Sequence, residues 1–227
     1  MPAEMTDKRG LFITFEGCDG SGKSTQASLF IAQLQQSGFT VTALRDPGAN
    51  AISERIRAIL LDRQHTEMSP WSELLLYEAA RAQMVAQQIK PALEENRIVV
   101  CDRFFDSTTA YQGYGRQLDL QLVEAANRMG SGGLLPDLTC IIDADPRLIR
   151  KRIVKRLGGA DRMESAGLAF QERVRQGYLR IAEAEPLRVA LIPGDRSIAE
   201  IQRHIWQLFV SRFQRILTGR DLGEGEI

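Results

Sequence analysis

The stretch Gly17-Cys18-Asp19-Gly20-Ser21-Gly22-Lys23-Ser24 constrains this chain more than any other. It fits G-x-x-x-x-G-K-[ST], the Walker A pattern. The chemistry needs each part. Glycines let the backbone curl until successive N–H groups point inward at phosphate oxygens. A helix opening near Lys23 turns its unpaired N–H groups and positive dipole end toward the same anion. Lys23 reaches the β- and γ-phosphates as a point charge, and Ser24 offers a hydroxyl to Mg²⁺. The setting agrees. The loop follows Leu11-Phe12-Ile13-Thr14-Phe15, a β-branched and aromatic run that ends in Glu16-Gly17. It precedes Ala27, Phe30, Ile31 and Leu34, which fall at i, i+3, i+4 and i+7 on one helical face. Residues Gly17 to Thr25 are therefore the candidate nucleotide-phosphate residues.

The rest of the chain alternates in the same way. Thr40 to Leu44, Ile98 to Cys101, Leu138 to Ile142 and Val189 to Ile192 read as four further strands. Their nearly unbroken apolar character predicts burial on both faces, as in a parallel sheet. Ser69-Pro70 and Asp145-Pro146 each put a capping side chain before a proline suited to the first helical position. Ser197-Ile198-Ala199-Glu200 is a capping box that opens the last long helix. The expected fold class is α/β, a three-layer α/β/α sandwich around a five-stranded parallel sheet. Residues 1–217 form the expected single domain. Residues 218–227, with Gly219, Gly223 and Gly225 among charged neighbours, are the expected flexible tail.

Composition serves mainly to exclude. Lys plus Arg is 29 and Asp plus Glu is 29, so the basic excess of a general nucleic-acid binder is missing. No apolar run approaches the roughly 18 residues of a membrane helix, and Met1 to Arg9 lacks the apolar stretch of a secretory signal. Cys18, Cys101 and Cys140 are far apart and odd in number, which predicts a reducing, cytoplasmic setting and no structural metal. His65 and His204 are the only histidines, which disfavours histidine-based metal or triad chemistry. No Asn precedes a Lys, so a guanine-reading Asn-Lys-x-Asp is absent. The phosphate loop alone leaves a kinase for a nucleotide or deoxynucleoside, and a non-kinase ATPase, both open.

The second substrate must be read elsewhere. Arg45 ends the second strand, and Asp102-Arg103 end the third. Ligands of open parallel sheets bind outside the carboxyl ends of strands. Two arginines there can grip a monophosphate through paired N–H···O bonds, or form ordinary surface salt bridges. Asp102 follows an apolar strand as a Walker B acid does, and is the candidate, with Ser24, for orienting Mg²⁺. A helix cap or a partner for Arg103 is its plainer reading. Tyr77 and Arg81, four apart, share a helix face. Unaided, they read as core and solvated surface. Arg147 to Arg156 holds six basic residues in ten with no acid between them, a pattern that usually marks a solvated helix face.

Several blocks together resemble the bacterial thymidylate kinase family. They are the phosphate loop with Asp19, Arg45-Asp46-Pro47-Gly48, Tyr77-Glu78-Ala79-Ala80-Arg81-Ala82-Gln83, Asp102-Arg103-Phe104-Phe105-Asp106-Ser107-Thr108-Thr109-Ala110-Tyr111-Gln112-Gly113, Pro136-Asp137-Leu138 and Asp161-Arg162-Met163-Glu164. They run from about Leu11 to Gly194. The resemblance implies the P-loop NTPase fold with a mobile helical lid, here at about residues 147–164. It implies transfer of a phosphoryl group from ATP, with Mg²⁺, to dTMP, giving dTDP in a cytoplasmic homodimer. It implies that Arg45 and Arg103 hold the dTMP phosphate and that Asp19 faces the deoxyribose 3′-OH. Tyr77 stacks on thymine and Arg81 meets the base edge. Thr108 and Gln112 bond the pyrimidine, with Pro47 and Ser107 nearby, and Tyr111 walls the sugar against a 2′-OH.

In that family a catalytic arginine comes either from the phosphate loop or from the lid. Gly20 follows Asp19, so the lid must provide it, with Arg152, Arg156 and Arg162 as candidates and Gly158-Gly159 as the flexible point. The chain departs from the pattern at Asp46, Ala49 and Asn50, where Arg-Glu-Pro-Gly-Gly-Thr is common. It departs again at Tyr77, where Phe is usual, and at Glu78, where a neutral residue is common. Cys18 and Cys101 lie close to the expected site, so oxidation is expected to inhibit.

Overall fold

A computed structural model describes residues 10–149 and 167–218, with side chains described as far as residue 214. Strand β1 (Phe12–Glu16) is buried along its whole length, as the middle strand of a sheet covered on both faces must be. β2 (Val41–Arg45), β3 (Ile98–Asp102), β4 (Leu138–Asp143) and β5 (Val189–Pro193) complete the sheet. The order is β2-β3-β1-β4-β5 and every pairing is parallel. Burial on both faces holds for the three central strands. β2 and β5 are only partly covered, because an edge strand has a neighbour on one side alone. The apolar run marked them as strands but did not place them at the edges.

The helices run in chain order α1 (Lys23–Gln36), α2 (Ala51–Leu61), α3 (Pro70–Met84), α4 (Lys90–Glu94), α5 (Phe105–Thr108), α6 (Leu120–Ser131), α7 (Leu168–Ala184) and α8 (Ile198–Thr218). Residues 146–149 add one helical turn. The period of two in β1 sorts its side chains. Ile13 and Phe15 meet Phe30 and Leu34 of α1 and Ile205 and Phe209 of α8 on one face. Phe12 meets Met84, Ile89 and Phe104 on the other. The result is the expected three-layer sandwich.

The expected caps are present. Ser69 Oγ accepts from Ser72 N at 3.1 Å, and Asp145 Oδ1 accepts from Arg147 N at 2.7 Å. In the last box Ser197 N donates to Glu200 Oε2 at 3.0 Å while Ser197 Oγ accepts from Glu200 N at 3.3 Å. Asn50, a departure from the family pattern, caps α2 by accepting from Ser53 N at 2.9 Å.

Two π-helical turns shape the surroundings of the site. Val85–Ile89 joins α3 to α4 just before Pro91, whose ring cannot sit in an unbroken α-helical ladder. Thr109–Gly115 continues α5 with a wider turn and carries Tyr111 and Gln112. α7 packs on that wide turn. Arg173 donates to Gly115 O at 3.1 and 3.0 Å, and Gly177 lies directly against the Tyr114 ring. The expected lid falls on residues of which 150–164 lie outside the described ones, as does the expected tail from Gly219 onward.

Candidate active site

The phosphate loop leaves the carboxyl end of the central strand. Gly17 has φ +133°, and a Cβ there would stand 2.5 Å from Ile142 O. Gly22 has φ +101° and caps α1 from the left-handed region. α1 then begins at Lys23, which is buried, while Ser24 and Thr25 remain exposed. The amino end of a fourteen-residue helix therefore faces the loop. Within the loop, Ser21 N donates to Cys18 O at 3.1 Å.

Asp19 sits between two cations. Its Oδ1 lies 2.5 Å from Arg103 Nη2 and 3.4 Å from Lys23 Nζ, and its Oδ2 accepts from the Tyr111 hydroxyl at 2.8 Å. Burial alone would raise this carboxyl. Arg103, Lys23 and the Tyr111 hydroxyl outweigh burial and hold it well below the usual carboxylate range. The plainer reading of Asp102 as the partner of Arg103 is not what is found, since Asp19 takes that place.

Arg103 is the pivot. Its backbone is in the left-handed region at φ +76°. Nη1 donates to Ser107 Oγ at 3.0 Å and to Tyr178 Oη at 3.2 Å. Nη2 donates to Asp19 and to Tyr111 Oη, and the guanidinium lies 4.9 Å from the Tyr111 ring centre. The loop's lone acid is thereby tied to the third strand.

A cavity of about 70 Å³ adjoins this cluster. Asp19, Pro47, Tyr77, Arg81, Arg103, Ser107, Thr108, Tyr111 and Gln112, all named by the resemblance, line it together. Asp46, Arg57 and Leu61 line it too. Arg45 does not: its guanidinium is half-exposed and bonded to Glu54 at 3.0 and 3.2 Å. The cation that sequence reasoning passed over is Arg57 of α2, which donates to Pro47 O at 3.0 Å. Burial, then repulsion from Arg45, lowers the Arg57 pKa. The available signal was position, since α2 starts just beyond the carboxyl end of β2.

Arg81, which unaided reads as solvated, is among the most buried side chains. Nε donates to Asp46 at 2.6 Å, Nη1 pairs with Glu78, and Nη2 donates to Thr108 Oγ1 at 2.8 Å. Burial would lower its pKa, but Asp46 and Glu78 raise it above the ordinary value. Burial in turn raises Asp46 despite Arg81. Tyr77 is half-buried on the cavity wall rather than in the core. Gln112 Nε2 donates to buried Glu73 at 2.8 Å. Two departures from the family pattern, Asp46 and Glu78, thus form the clamp on Arg81.

Asp102 Oδ1 is a buried oxygen with no hydrogen-bond partner. It stands at the end of β3, in register with Phe15 of β1. Among the described residues no three His, Cys, Asp or Glu side chains cluster as a metal cage. Mg²⁺ commonly takes one or two protein oxygens and completes its shell with phosphates and water. Ser24 and Asp102 fit that donor set. Cys18, Cys101 and Cys140 are free and buried. Burial pushes Cys18 and Cys140 up to about 12 and raises Cys101 well above its ordinary value. Protonated, enclosed thiols react poorly, so the expected oxidation sensitivity finds no support here. Arg152, Arg156 and Arg162 lie outside the described residues.

Comparison with known proteins agrees with this geometry. A family model described as thymidylate kinase matches residues 15–205. A thymidylate kinase from an Exiguobacterium species is 44% identical over 206 residues, covering 91% of this chain and 97% of that protein. One from Pelotomaculum thermopropionicum is 47% identical over 189 residues, covering 83% and 88%. The crystal structure of thymidylate kinase from Ehrlichia chaffeensis superposes with a TM-score of 0.71 at 35% identity, covering 88% of this chain and 98% of that one. A phosphate loop tied through Asp19 to a cation-lined cavity, at the carboxyl edge of a β2-β3-β1-β4-β5 sheet, is carried by a chain that belongs to the thymidylate kinase family.

Proposed function

We propose that this chain transfers the γ-phosphoryl group of ATP to dTMP, giving dTDP and ADP. One observation carries the reading: the phosphate loop and the cavity lined by Arg57, Arg81 and Arg103 meet at Asp19. Donor and acceptor sites of that kind must share an edge for in-line transfer.

The acceptor is a phosphate monoester with a second pKa of about 6. It is already anionic at neutral pH, so its oxygen attacks without a general base. That suits a site without histidine. Arg103 and Arg57 hold the acceptor phosphate, with Arg45 at the rim. Lys23 and the loop amides hold the donor phosphates. Arg81 and Thr108 address the pyrimidine edge with Gln112, while Tyr77 covers its face and Tyr111 its sugar. Ser24 and Asp102 would hold Mg²⁺ together with the nucleotide, and the ion would supply further positive charge near the transferring group. An arginine among Arg152, Arg156 and Arg162 completes the neutralisation. Closure over ATP limits wasteful hydrolysis.

The chain acts as a homodimer in this reading. Ile52 and Ile59 of α2, Trp71 and Leu75 of α3, and Leu122 and Met129 of α6 are exposed apolar side chains on three helices that pack side by side. Such a surface suits an isologous contact. Among the described residues no helix is long and apolar enough to cross a membrane. The three free thiols favour a cytoplasmic setting.

A coupled assay tests the activity. The protein is incubated with ATP, Mg²⁺ and each nucleoside monophosphate singly, and ADP is followed. ADP release that depends on dTMP supports the reading. Release that needs no acceptor replaces it with an ATPase, and a response to a different monophosphate replaces the substrate.

A further inference from the structure

We propose that Glu16 is a positioning residue for the acceptor phosphate, whose buried carboxylate orients the Ser107 and Tyr178 hydroxyls so that their lone pairs meet the Arg103 guanidinium. This rests on the reading of Arg103 as the arginine that grips that phosphate.

Glu16 ends β1, one residue before the phosphate loop, and is completely buried. Its Oε1 accepts from Phe104 N at 2.6 Å. Its Oε2 accepts from Ser107 Oγ at 2.5 Å and from Tyr178 Oη at 2.9 Å. A hydroxyl has one proton. Given to Glu16, it leaves only lone pairs for other neighbours. Arg103 Nη1 donates to both of these oxygens, at 3.0 and 3.2 Å. The order from the interior outward is carboxylate, hydroxyl pair, guanidinium, cavity. The hydroxyl oxygens are 3.0 Å apart, so they form one platform beneath Nη1. Nη2 donates to Asp19 and to the Tyr111 hydroxyl, and all three residues line the cavity.

The same carboxylate also fixes the backbone. Arg103 holds a left-handed φ of +76°, a costly conformation for a long side chain. It is pinned on both sides. Arg103 N donates to Phe15 O at 2.9 Å, and the next amide, Phe104 N, donates to Glu16. Glu16 therefore sets where the arginine leaves the chain and where its head comes to rest.

Burial, then Asp106, pushes the Glu16 pKa up to about 7, against the opposing pull of Arg103, Ser107 and Phe104. The carboxylate that orients the hydroxyls is the form present above that value, so the affinities below are compared at pH 8. Glutamine has the same shape but a different polarity. With its oxygen kept on Phe104 N, its amide nitrogen takes the place of Oε2 and donates to both hydroxyls, so neither hydroxyl proton is held away from Arg103.

The test is titration calorimetry of the full chain with dTMP and, separately, with thymidine, which lacks the phosphate. Glu16→Gln is expected to weaken dTMP at least tenfold, with thymidine affinity and KM for ATP within twofold of the parent. The double variant Ser107→Ala/Tyr178→Phe is expected to lose dTMP affinity by a similar factor, and adding Glu16→Gln to it to cost less than twofold more. Equal losses for dTMP and thymidine, or an unchanged dTMP affinity, would overturn the proposal. If Glu16→Gln does not fold, the double variant decides alone, and normal dTMP affinity in it is the overturning result. Arg103→Ala serves as control. If it keeps dTMP affinity, the phosphate reading of Arg103 itself fails. If it loses dTMP while Glu16→Gln does not, only the role of Glu16 fails.

Discussion

Arg103 Nη2 lies 2.5 Å from Asp19 Oδ1, so a cation at the end of β3 and the acid inside the phosphate loop, 84 residues apart, hold one another in place. In the proposed reaction the pair stands where donor and acceptor meet. Removing either cation side should separate the two affinities. Arg103→Ala and Arg57→Ala are each expected to weaken dTMP about 10- to 100-fold, the scale of a lost buried charge contact, with ATP changed less than threefold. Lys23→Ala should cut turnover by about 100-fold or more. Titrations with each nucleotide and steady-state rates check all three.

Glu78 and Gly130 give a second prediction. A Cβ at Gly130 would overlap Glu78 Oε2, and would lie 3.2 Å from its Cα. The Glu78 carboxylate is also the partner of Arg81. Gly130→Ala, which does not itself line the cavity, is therefore expected to destabilise the chain by about 1–3 kcal/mol through overpacking and to raise KM for dTMP. Adding Glu78→Ala should recover part of the stability by making room. Denaturant midpoints of the two single variants and the double variant test this.

Ala49 sits at φ +72°, where a Cβ is unwelcome. Its N–H donates to Glu54 at 2.9 Å and its carbonyl accepts from Gln88 at 2.6 Å, so the turn is held from both sides. Ala49→Gly is expected to stabilise the folded state by about 1 kcal/mol, or roughly 2–4 °C in Tm for a chain of this size. Thermal unfolding at fixed concentration reads the shift.

Two acids set opposite pH trends. Glu16 has a folded pKa of about 7 against an ordinary 4.5, so the folded chain binds that proton more tightly. Its contribution is complete below pH 4.5 and is lost as pH rises through 7. Asp19 is held below its ordinary 3.8, so its contribution is present above that value and is lost in stronger acid. Between pH 5 and pH 8, the parent chain is expected to lose more stability than Glu16→Gln, by up to about 3 kcal/mol. Urea unfolding at the two pH values measures the difference.

What could be read from the chain was local or repetitive. Apolar runs gave the strands, Ser69, Asp145 and Ser197 gave helix starts, and the glycine pattern gave the phosphate loop. Arg103 was legible from its place at a strand end, but Thr108 and Gln112 through family resemblance alone, since a lone Tyr-Gln pair carries no signal. Glu16 was read only as the end of a strand. Its partners Ser107 and Tyr178 are 91 and 162 positions away, and strand order decides that they meet. The pairing of Arg188 with Asp106 at 2.7 and 2.9 Å was invisible for the same reason. Arg45 is the converse case. Its place at a strand end was right, but Glu54 on the following helix draws its head aside.

The clasp of Arg173 on Gly115, with Gly177 pressed to the Tyr114 ring, makes α7 and the wide turn a single moving part. Neither can slip along the other without breaking two charged hydrogen bonds. The cavity wall at Tyr111 and Gln112 is therefore braced from behind by a full-length helix rather than carried on a free-standing turn.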